Sequence, residues 1–140
     1  MKEIGKATLI ALTQARLAEA RVLLDAGLYS GAYYLAGYAV ELGLKALISD
    51  KFRAGIIPDP KFVQNIFVHD IEKLADTAGL KRAVADSVKT EPDFAANWAA
   101  VSEWSEQSRY TVNGEASARA LVAAIDAADK GVLAWIARHY

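Results

Sequence analysis

The segment Leu28–Asp50, LYSGAYYLAGYAVELGLKALISD, decides the fold. It reads as one buried helix. Tyr34, Tyr38, Glu41 and Lys45 fall at i, i+4, i+7 and i+11 and therefore share a face. Ala32, Leu35, Ala36, Ala39, Leu42, Gly43, Ala46 and Leu47 cover the remaining faces. Gly31, Gly37 and Gly43 each lower helix propensity by about 1 kcal/mol against alanine. A helix that keeps three glycines implies close approach by neighbouring helices. The Glu41–Lys45 pair among tyrosines is either a satisfied polar cluster inside a bundle or part of a site.

Composition supports the helical reading. The chain has 140 residues, no cysteine, three prolines and 54% hydrophobic residues, many of them alanine. Its length corresponds to one domain, 1–140. The missing cysteine excludes disulfides and thiolate chemistry and fits a cytoplasmic setting. The start, MKEIGKATLIALTQ, carries too short an apolar run for a signal peptide. No stretch reaches the ~18 uncharged apolar residues of a membrane span. A net charge of −1 gives no bulk attraction for nucleic acid or anionic lipid. Any RNA or nucleotide binding must therefore be local.

Outward from the central helix, Ile10, Leu17, Ala20 and Leu24 predict a first helix over about 4–26, with Gly27 in the C′ position. Ser30 is the candidate N-cap of the second helix, which runs to about Phe52. Gly55, Pro58 and Pro60 then break the chain, and residues 56–68 read as a loop with one turn near 62–66. His69-Asp70 opens a third helix to Ala78, ended by Gly79. A short helix spans 80–89, and Pro92 starts another that reaches Trp104. Asn113-Gly114 marks a turn. Ala118, Leu121, Val122, Ile125, Ala128, Val132, Trp135 and Ile136 predict one last helix over about 117–138. No segment alternates with period two. The expected architecture is all-α: an up-and-down bundle of four to five main helices plus short ones.

Two patches hold candidate chemistry besides Glu41 and Lys45. His69 is either a packed residue at a bundle end, with it or Asp70 capping the helix, or a general base or phosphate ligand. In WAAVSEWSEQSRYTVN, Trp98–Asn113, Arg109 beside Tyr110 and Trp104 can grip a phosphate and stack on a base. Glu103 or Glu106 can pair with it, and it can equally be a buried arginine satisfied by Glu41 or by backbone carbonyls. His139, next to Arg138 at a helix end, reads as solvated. No His pair stands at metal-ligand spacing, so no metal is expected. Phosphate-loop and nucleophile-elbow contexts are missing as well, and no cofactor is expected.

The ordered set AYYLAGYAVELGLKALI, a proline-containing loop, HDIEKLA and WSEQSRY resembles the HEPN domain superfamily over most of the chain. The resemblance implies an up-and-down helical bundle that commonly pairs as a dimer. Many such domains accompany minimal nucleotidyltransferases, often as toxin–antitoxin pairs. Others are metal-independent ribonucleases that carry an Arg followed, after four to six residues, by a His. Here Arg109 is followed by YTVNGEA, Arg53 has no His before His69, and Arg138 directly precedes His139. The ribonuclease pair does not carry over.

The expected function is a binding module, a homodimer as the resemblance implies, for a nucleotide or RNA or for a partner such as a nucleotidyltransferase, in a toxin–antitoxin or defence-type setting. The ligand-binding candidates are Tyr34, Tyr38, Glu41, Lys45, His69, Arg109 and Tyr110. Trp98, Trp104 and Trp135 are expected to add apolar surface to the dimer. Two alternatives stand beside this reading. One is a ribonuclease in which His69 and Arg109 meet as an atypical catalytic pair. The other is a purely structural dimer.

Overall fold

A computed structural model describes residues 2–140. It is 70% helical, and no strand occurs among the described residues. Eight α-helices follow in order: α1 Lys6–Asp25, α2 Tyr29–Ser49, α3 Pro60–Gln64, α4 Ile71–Thr77, α5 Lys81–Thr90, α6 Pro92–Ser102, α7 Glu115–Asp126 and α8 Val132–Ala137. A 3-10 turn, Glu106–Tyr110, lies between α6 and α7. No helix of the described residues is long and apolar enough to cross a membrane.

The second helix is the axis of the bundle. It packs along α1 over its length and also touches α4, α7, α8 and the 3-10 turn. Ala32, Ala36, Ala39, Val40, Leu44 and Ala46 are completely buried, which explains its small residues: bulk there would push the surrounding helices apart. The α1–α2 connection is a tight reversal. Gly27 adopts φ +76°, its N–H bonds the Leu24 carbonyl, and the Leu28 N–H bonds the Leu23 carbonyl. That is a Schellman-type ending, and the left-handed conformation favours glycine.

Several boundaries differ from the sequence reading. Ser30 is not the N-cap, because α2 begins at Tyr29 with Leu28 before it. Instead the Ser30 hydroxyl accepts from the Asn113 N–H at 2.9 Å and pins the 113–114 turn to the start of α2. Asp70 does cap a helix, accepting from the Lys73 N–H at 2.9 Å. The single last helix is in fact two. Ala127 turns extended, with ψ 133°, and the chain restarts at Val132. The Asn97 side chain donates to the Lys130 carbonyl at 2.9 Å, and Lys130 pairs with Glu91 at 2.6 Å, so α6 holds the break open. The break lets Trp135 reach Phe94, with ring centroids 5.0 Å apart. The three tryptophans are core rather than dimer surface: Trp98, Trp104 and Trp135 are all at most 6% exposed.

Candidate functional site

Glu41 is the one charged residue among the buried set, at 1% exposure. Its position in the middle of α2, flanked by Val40 and Leu42, gives its carboxylate no route to water. Lys45, one turn on, donates to Glu41 Oε1 at 2.9 Å. His69, at the end of the loop before α4, places Nδ1 2.8 Å from the same oxygen. Both donors converge on Oε1, and Oε2 is buried with no hydrogen-bond partner. A bare buried acceptor costs about 1–3 kcal/mol, so the pairing at Oε1 must offset it. With Nδ1–H facing a carboxylate, the neutral imidazole presents Nε2 as an acceptor. The His69 side chain is 45% exposed, so this face of the ring meets solvent.

Towards the N-terminal end of α2 the same face becomes aromatic. The Tyr34 and Tyr38 rings lie parallel, 3° apart in plane, with centroids separated by 6.2 Å. The Trp104 ring also lies against Tyr34, with centroids 6.2 Å apart and the planes inclined by 29°. Burial raises the Tyr38 phenol pKa, the Glu41 charge adds to the effect, and Arg16 opposes it. Tyr38 thus stays a neutral phenol. The 3-10 turn brings Arg109 to the Tyr34 end. Its guanidinium carbon sits 5.0 Å from the Tyr110 ring centroid. The Tyr110 phenol, and after it that of Tyr34, raise the Arg109 pKa, so the charge is permanent. Both Arg109 and Tyr110 are exposed, Tyr110 at 73%.

The seven candidates therefore fall along one stripe but in two groups. Arg109 and Tyr110 gather at Tyr34; Lys45 and His69 gather at Glu41. The seven residues from Tyr34 to Glu41 separate these groups by about 10 Å of helix rise. No hydrogen bond or ion pair among the described residues joins Arg109 to Glu41, Glu103, Glu106 or His69. The buried-arginine reading is thereby corrected: Arg109 is solvated, and the buried ion pair belongs to Lys45. His139 is exposed, with Nδ1 2.9 Å from the Trp135 carbonyl and its ring 4.4 Å from the indole.

Trp104, which the sequence places beside Arg109, packs against Tyr34. One contributor escaped the sequence reading. Arg16 acts on Tyr38 from α1. Thr13, Leu17 and Ala20 are the buried residues around Arg16, which stands three and four positions from two of them. That helical spacing is the sequence signal that places Arg16 at the edge of the α1–α2 seam.

A family model described as "HEPN domain" matches residues 8–138. The chain belongs to the HEPN domain family. No curated protein and no solved structure matches it. The HEPN match extends from the first helix through the last, so the central α2 helix, the His69 loop and the Arg109 turn all lie inside the HEPN region.

Proposed function

We propose that this HEPN domain is a dimeric binding module that holds a nucleotide or a short single-stranded RNA along the α2 stripe. The observation that carries the reading is the parallel Tyr34–Tyr38 pair with a cation at each end, Arg109 at one and Lys45 at the other. Aromatic rings interleaved with backbone-tracking cations form a platform that accepts any base. With a net charge of −1, this local arrangement has to supply the attraction. Exposed Tyr110 adds a face on which a base can stack, worth about 1–3 kcal/mol.

The Glu41–His69 contact favours a second reading, in which the exposed Nε2 of His69 acts as a base toward a ribose hydroxyl. The cation beside it is then Lys45 rather than Arg109.

Fluorescence anisotropy with a labelled oligoribonucleotide, in chelator, tests both. Arg109→Ala is expected to weaken binding about tenfold and to lower the salt slope by about 0.7, one phosphate contact on a single strand. Tyr110→Ala is expected to weaken it by a similar factor. RNA that stays intact supports the module; cleavage lost in His69→Ala establishes the enzyme. A protein that binds no RNA but captures a nucleotidyltransferase overturns the RNA reading in favour of a protein partner.

The dimer is proposed on the family, since HEPN domains commonly dimerise. With the tryptophans in the core, its apolar contacts must come from other side chains. Sedimentation at micromolar concentration is expected to show a species near twice the 15.1 kDa chain mass. A persistent single-chain mass refutes the dimer.

A further inference from the structure

We infer that the cleft between the start of α1, the C-terminal half of α2 and the loop before α4 is a binding site for a small amphipathic carboxylate, an apolar body of about ten carbons with one anionic head. The cleft has a volume of about 260 Å³. A cavity of about 150 Å³ walled by Leu, Ile and Phe accommodates benzene, so this one fits a bicyclic ring or a medium acyl chain. Its inner wall is aliphatic, made by Leu9, Leu12, Leu42 and Ile48. At its mouth stand Ile4, Phe52 and Phe67, which are 39%, 49% and 60% exposed. Three large apolar side chains gathered at one opening and left in water gain burial only when something apolar enters between them.

The head group follows from Lys45, which lines the same cleft. An ammonium has three N–H donors, and Glu41 takes one. The other two call for acceptors, and a carboxylate supplies them with opposite charge. A nucleobase is a poor occupant. Besides Lys45, only the Tyr38 and Ser49 side chains are polar here, and the Ser49 hydroxyl hydrogen is already donated to the Ala46 carbonyl at 2.6 Å. The edge groups of a base would be left unpaired against aliphatic walls.

This site shares Tyr38 and Lys45 with the proposed RNA stripe, but Arg109, Tyr110 and Tyr34 take no part in it, so the two can be tested apart. Titration of the whole protein with decanoate, followed by methyl NMR, tests it. The Leu9, Leu12, Leu42 and Ile48 methyl signals are expected to shift saturably below about 1 mM. Decylammonium and AMP are expected to bind at least tenfold more weakly. Leu12→Trp, which fills the cleft, is expected to weaken decanoate at least tenfold. The Glu41→Gln/Lys45→Met double variant, which removes the ammonium without isolating a buried carboxylate, is expected to bind decanoate no better than decanol. Arg109→Ala is expected to leave decanoate binding unchanged even where RNA binding is lost. No saturable shift, equal affinity for decylammonium or AMP, or full binding by Leu12→Trp overturns the site. Should the double variant unfold, the decylammonium and Leu12→Trp comparisons decide it alone.

Discussion

Lys45→Met is expected to lower the stability of the fold by about 3–5 kcal/mol, because it leaves the Glu41 carboxylate buried with half its compensation removed. For a chain of this length that corresponds to a fall of roughly 10–15 °C in Tm. The carboxylate cannot recover by solvation: Glu41 is 1% exposed, and Oε2 is already without a partner. His69 would remain as its only donor, from a largely exposed position. The surface pair Arg16–Glu19 gives the contrast. Glu19→Ala is expected to change stability by less than about 1 kcal/mol. Glu41→Leu/Lys45→Met, which replaces the pair by apolar groups, is expected to recover much of the loss, since buried pairs are often matched by well-packed hydrophobes. Thermal denaturation of the wild type, Lys45→Met, Glu41→Leu and the double variant reads the coupling directly. A Lys45→Met protein as stable as Glu19→Ala would refute the buried pair.

Gly37→Ala is expected to be the second severe substitution, at about 3 kcal/mol or more. Alanine normally improves a helix interior by about 1 kcal/mol over glycine. At position 37, however, an added Cβ would overlap the Trp104 indole. Trp104 is 2% exposed and stacked on Tyr34, so the ring has no open side to move into. Overpacking of this kind normally costs about 1–3 kcal/mol, and here the ring that must shift also supports the tyrosine pair. Six residues further along the same helix, Gly43 is different. A Cβ there meets Ile136, Leu133 and Tyr140 at an ordinary 3.5 Å. Gly43→Ala is therefore expected to be neutral or stabilising. Equal melting temperatures for the two alanine variants would show that Trp104 yields freely and that Gly37 is not there for close approach.

These two glycines illustrate what a sequence can and cannot convey. The length and burial of α2 were legible from its period and its small residues. Which glycine is indispensable was not, because Trp104 arrives from 67 positions away. The last helix makes the same point from the other side. Of its stripe, Ala118, Leu121, Val122, Ile125, Val132, Trp135 and Ile136 are buried, whereas Ala128 falls in the break and is exposed. Yet the stripe belongs to two helices, and the side chain that stabilises the break, Asn97, lies on α6. Only Gly131 marked the spot locally. In the candidate site, Tyr34, Tyr38, Glu41 and Lys45 share a face by helical arithmetic alone. The His69–Glu41 bond spans 28 residues and a loop, and no spacing rule encodes it. The tryptophans misled for a physical reason: large apolar residues suit an interface and a core equally well, and only the packing separates the two, α6 against α8 for Trp98 and Trp135 and α2 for Trp104.

The loop between α2 and α4 has a bearing on how the molecule breathes. From Arg53 to Pro58 the only backbone hydrogen bond reaches from the Ile56 N–H to the Arg53 carbonyl, and nothing there is fully buried. Such a stretch sits at the low end of the local-opening scale, while α2 beside it opens only with the whole fold. The imidazole of His69 ties the far end of the loop to the buried Glu41 carboxylate of α2. Phe62, Ile66 and Val68 hold the rest of the segment against the core, and Phe52 packs on Phe62 with ring centroids 5.5 Å apart. Local opening therefore concentrates in the short run from Arg53 to Pro58, between two anchored ends.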